Sequence, residues 1–134
     1  MSCTTIELNR KAVTGLEEIG KKIQEDLSGD FVSSELAVRK ITEAEGVRVL
    51  LMVFEKYYWR NGSMAVTVVQ IMDSGEEQRA VVAGTGGGEG ILNISFGANR
   101  DYAERISKAL MRMGFEVTDG EDSSAYWEQA MKKR

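Results

Sequence analysis

The 134-residue chain carries 17 basic and 21 acidic residues, a formal net charge of −4, no histidine and one cysteine, Cys3. Lack of an imidazole excludes a Ser-His or Cys-His couple, a base titrating near neutral pH, and a zinc site of the usual His and Cys ligands. A lone cysteine closes no internal disulfide, and the mild acidic balance argues against nucleic-acid binding, which usually needs a basic face, without excluding a local patch.

The length suits a single domain over 1–134, with a core at about 4–114 and a C-terminal extension over 115–134. No apolar run approaches the ~18 residues of a membrane span. Glu7, Glu17, Glu18, Glu25 and Asp26 occupy the first thirty residues, where no signal-peptide core is found. A cytoplasmic location is therefore expected.

The first element is a short strand within Thr4–Asn9, with Ile6 and Leu8 on one side. From Arg10 the period changes. Ala12, Leu16, Ile19, Ile23 and Leu27 fall at helical steps and predict one buried stripe, with charged residues on the remaining surface. Gly15 and Gly20, both poor helix formers, weaken this helix and are expected to allow close packing against a sheet. Ser28-Gly29-Asp30 supplies the stop.

A run of strands follows. Ser34–Thr42 reads as an edge strand, Glu43–Gly46 as a turn, and Val47–Trp59 as a strand apolar on both faces at its centre. Such a strand needs cover on both sides, from a second layer or from a partner. Asn61-Gly62 is a strong hairpin signal, returning through Met64–Met72. Asp73–Glu76 turns into a strand over Gln78–Ala83, and Ile91–Phe96 alternates as another.

Asn99 is placed to cap a helix whose stripe is Tyr102, Ile106, Leu110 and Met113, with Gly114 as its stop. Phe115-Glu116-Val117 is a brief extended piece, and Ser123–Arg134 a short terminal helix. The order β-α-β-β-β-β-β-α, plus that last helix, predicts an α+β two-layer sandwich. A curved antiparallel sheet of five to six strands carries two long helices on one face.

Two segments stand out as candidate sites. Gly84, Thr85, Gly86, Gly87 and Gly88 open a glycine run that ends at Gly90, and consecutive glycines can aim backbone N–H groups at an anion. The run has no Gly-Lys-Ser/Thr ending and does not match G-x-G-x-x-G. It is therefore either a plain connection between strands or a ligand cradle, with Arg60, Arg79 or Arg100 as counter-charge. Tyr57, Trp59 and Arg60 sit at the hairpin end and combine the residue types that dominate interface hot spots; cross-strand packing is the bland alternative.

Glu116, Asp119, Glu121 and Asp122 do not follow a calcium-loop pattern and read as solvated loop. No catalytic residue, metal or cofactor is expected.

Val53-Phe54-Glu55-Lys56-Tyr57 ahead of a glycine-containing turn, Val66-Thr67-Val68 in the return strand and the Ala83–Gly87 stretch together carry a resemblance. Over about residues 4–113 the layout resembles a family of small bacterial proteins classed as a domain of unknown function, found mainly in anaerobic Gram-positive bacteria. Because that family has no assigned activity, the resemblance implies a compact bacterial cytosolic domain and no catalytic residues. The expected function is a non-enzymatic binding or interaction module that self-associates, as a dimer, through the sheet face without helices. The alternative is a small-molecule or nucleotide-binding protein using the glycine run, or a subunit completed by a protein partner.

Overall fold

The computed structural model describes residues 3–12, 14–27, 34–58, 63–87 and 103–119. Its elements are β1 (Cys3–Lys11), α1 (Leu16–Leu27), β2 (Ser34–Ala44), β3 (Val47–Tyr58), β4 (Ser63–Asp73), β5 (Glu77–Gly87), a helix over 103–112 (α2), and β6 (Glu116–Asp119). The strands form one sheet, ordered β2-β3-β4-β5-β1-β6, with every neighbour antiparallel. The α+β expectation holds.

β2 to β5 are a meander, so each strand pairs with its successor in sequence. The β2–β3 turn is Glu45-Gly46, with φ of 52° and 81°. Two positive φ values in a two-residue hairpin loop match the right-handed twist of the flanking strands. At the β4–β5 turn Gly75 takes φ 94° and its amide donates to the Asp73 carboxylate at 2.8 Å. β1 then pairs with β5 from Cys3↔Thr85 to Lys11↔Glu77, and β6 lines its outer edge.

Leu16, Ile19, Ile23 and Leu27 of α1 are buried, as the stripe predicts. Ala12 is not part of it: β1 continues to Lys11, and the helix begins only after Gly15, whose carbonyl accepts from the Ile19 amide at 3.3 Å. A Cβ added to Gly20 would sit 3.4 Å from Leu50 Cδ2 and 3.5 Å from Met52 Sδ. Glycine at this position brings the helix backbone down onto β3.

Gly114 stops α2 at φ 102°. The Phe115 amide reaches the Leu110 carbonyl at 3.1 Å and the Gly114 amide that of Met111 at 3.0 Å, the double bond of a Schellman ending. Phe115 and Leu110 are both buried, which supplies the hydrophobic contact of that motif.

Both helices contribute to one core. Leu16 to Leu27 from α1, and Ala103, Ile106 and Leu110 from α2, cluster with Leu50, Met52, Val69, Ile71, Val82 and Leu8 of the sheet. These strand residues share one face, because Leu50↔Ile71↔Ala80↔Leu8 and Met52↔Val69↔Val82 are successive cross-strand rows. No described helix is long and apolar enough to cross a membrane. The expected strand at Ile91–Phe96, the turns at Ser28–Asp30 and Asn61-Gly62, and the terminal helix fall outside the described residues.

Candidate functional site

Since strand side chains alternate, the neighbours of those core residues point to the other face. There the row Val38↔Val53↔Val68↔Ala83 crosses four strands. Leu51 and Val81 lie in the next row, flanked by Lys40 on β2 and Glu7 on β1, with Gln70 between them. None of these is buried: Val53, Val68, Leu51, Val81 and Ala83 are half-buried, Val38 is 39 % exposed, and Met72, one row further, is 43 % exposed.

No described helix packs on this side. It holds a shallow depression of about 350 Å³ between Gln70, Met72, Arg79, Val81, Glu7 and Asn9. The result is an apolar patch with a polar rim, the anatomy of a protein contact surface.

The two segments singled out in the sequence reach one end of this sheet. Tyr57 pairs with Met64, and Met64 with Gly87, in a single cross-strand row. Trp59, Arg60 and Gly88 lie outside the described residues. Gly84, Thr85, Gly86 and Gly87 are not a loop, as the sequence suggests, but the last four residues of β5. Gly84 and Thr85 pair with Thr67 and Val66 on one side and with Thr4 and Cys3 on the other, and Gly86 and Gly87 pair with β4. The ladders on both flanks take up the backbone at 84 and 85, the groups an anion cradle would have to keep free.

Of the proposed counter-charges, Arg79 stands on the open face and pairs with Glu77 at 3.3 Å; Arg60 and Arg100 are outside the described residues. Glu116, in the expected extended piece, and Asp119, expected in the loop after it, both belong to the edge strand β6. Among the described residues no group of acidic or sulfur ligands is close enough to hold a metal ion.

The largest polar assembly among the described residues, on the opposite face, was not visible in the sequence. Arg10 donates through Nε to Gln78 Oε1 at 2.7 Å, through Nη2 to Thr14 Oγ1 at 2.7 Å, and through Nη1 to the Met113 carbonyl. Its guanidinium lies 4.6 Å from the centre of the Phe115 ring. Gln78 is fully buried and donates to the Thr14 carbonyl at 2.7 Å and to Asp73 at 3.0 Å. Partial burial pulls the Arg10 pKa down, while Asp73 and then Glu18 push it back up.

An arginine keeps its charge through such a shift. It therefore serves as a clasp that joins β1, β5 and the end of α2. With Nε, Nη1 and Nη2 of Arg10 each bonded to protein, the cluster offers a substrate little. Besides Thr14, its partners Gln78 and Met113 lie 68 and 103 residues away, so no local spacing announces the assembly.

A model of a family of unknown function (DUF6054) matches residues 6–114. The chain belongs to that family. Comparison with curated proteins and with solved structures gives no match. The span matched by the DUF6054 model takes in β1 through α2, and hence the four long strands and most of β1 that build the open face.

Proposed function

We propose that the protein is a non-enzymatic interaction module whose working surface is the open sheet face, and that it acts as a homo-oligomer. One observation carries this reading: β3, β4 and β5 present Leu51, Val53, Val66, Val68 and Val81 on the side where no described helix lies. Surface valines scattered singly need no explanation, whereas a contiguous apolar row across four strands does. In sequence, Tyr57 stands at the end of β3, and in register it follows Leu51 and Val53 on the same side of the ladder. A cytosolic setting in a bacterial cell is consistent with the composition.

The test is sedimentation velocity of the wild-type chain and of Val68→Lys. The lysine should shift the chain towards monomer while the far-UV circular dichroism stays unchanged. Equal association in both proteins would move the interface away from this face.

A further inference from the structure

The side chains of the open face are arranged with a symmetry of their own, and resting on the reading above we infer that the occupant of the face is a second copy of this chain, stacked about a two-fold axis that runs along β4. Such an axis places β4 over β4, β3 over β5 and β2 over β1, and keeps each cross-strand row above itself. The row containing Gln70 then becomes self-complementary. Its members in order are Lys40, Leu51, Gln70, Val81 and Glu7.

Lys40 faces Glu7 of the second copy, and Glu7 faces Lys40. Leu51 lies against Val81, and the amide of Gln70 meets its own mate, which is both donor and acceptor. In the next row Val53 lies over Ala83, a larger side chain over a smaller one, and Val68 meets Val68 on the axis. Lys40 and Glu7 are exposed and enter no ion pair among the described residues, so both are available for this exchange.

The competing two-fold, running across the strands between these rows, stacks β2 on β2. It would set Lys40 over Val38 and Glu7 over Thr5, leaving both charges without partners. Charge complementarity therefore selects the axis along β4.

Area agrees: five long strands about 4.8 Å apart and about 30 Å long present about 700 Å², close to the roughly 800 Å² each partner contributes to a stable interface. Sheets packed face to face cross at about −30°, and the long side chains of Lys40 and Glu7 span the offset this gives at the rim.

The experiment combines charge exchange with cross-linking. Lys40→Glu and Glu7→Lys should each weaken the dimer by about tenfold or more in sedimentation equilibrium, because every single exchange sets two like-charge contacts in the interface. The double variant should return to within about threefold of wild type, as opposite charges again face each other. In a Cys3→Ser background, Val68→Cys should form a disulfide-linked dimer under mild oxidation, and Val38→Cys, which faces Thr5, should not. A monomer at every concentration would overturn the self-association reading itself. A dimer indifferent to both charge exchanges, or cross-linked through position 38 and not 68, would overturn the axis and leave self-association standing.

Discussion

Along β3, Leu50, Met52 and Phe54 are at most 2 % exposed, while Val49, Leu51 and Val53, interleaved with them, remain half-buried. The two sets are equally apolar and differ by one step along the same strand. What separates them is the second layer. α1 and α2 seal the first set into a core, and no described helix does so for the second. Hydrophobicity alone therefore does not say which face of a central strand is core. The rims do: the covered face closes at one end with the Arg10–Gln78–Asp73 cluster, engaged within the chain, whereas the open face ends in Lys40 and Glu7, which enter no ion pair among the described residues.

The sharpest way to break this contrast is to truncate adjacent leucines. Leu50→Ala should cost about 2–5 kcal/mol in urea unfolding, because the helices above it cannot close the cavity fully. Leu51→Ala should cost under about 1 kcal/mol at low protein concentration, with a larger loss as the concentration rises. Equal costs at all concentrations would mean that both faces are core.

A smaller effect concerns the polar exception on the covered face. Thr67 is 1 % exposed and its hydroxyl has no hydrogen-bond partner among the described residues. Thr67→Val keeps the shape and removes an unmet polar group, so it should stabilise the fold by about 1 kcal/mol, read as a rise in the denaturation midpoint. A fall would show that the hydroxyl does have a use.

The least effect lies at the solvent edge of α1. Arg48 donates to Glu17 and holds its carboxyl below the usual carboxylate range, chiefly through that hydrogen bond. A carboxylate with a depressed folded pKa adds stability above its unfolded pKa and loses it as pH falls through the folded value. Glu17→Gln should therefore lower stability slightly at neutral pH and converge with wild type in acid. Because the pair is exposed to solvent, the gap should shrink in high salt. Parallel curves across pH would remove the ion pair from the account.

Much of this was legible in the chain itself. The α1 stripe from Leu16 to Leu27, the edge position of β2, a turn within Glu43–Gly46 and the stop at Gly114 follow from local periodicity and backbone preference, though β2 runs on to Ala44 and leaves the turn to Glu45-Gly46 alone. β5 was read too short because glycine is a poor strand former. Pairing with β4 on one side and β1 on the other outweighs that preference through Gly87. The open face was foreseen as a surface, yet its members were not, since the residues of a cross-strand row are brought together only by register. Lys40 and Glu7 lie thirty-three positions apart in sequence, and no pattern within either strand links them.

The place of β1 also sets a schedule for the chain as it is made. Its Ile6 and Leu8 side chains find their neighbours only once residues 77–87 exist, although β1 precedes them in the chain. β2 to β5 join by short turns and can zip in order, while β1 must wait and then insert between β5 and the late-arriving β6. Closure over so long a loop is the slow kind of contact. Until β5 is made, the nascent chain therefore carries β1 without its strand partners and with Ile6 and Leu8 uncovered, the stage at which a chaperone has something to hold.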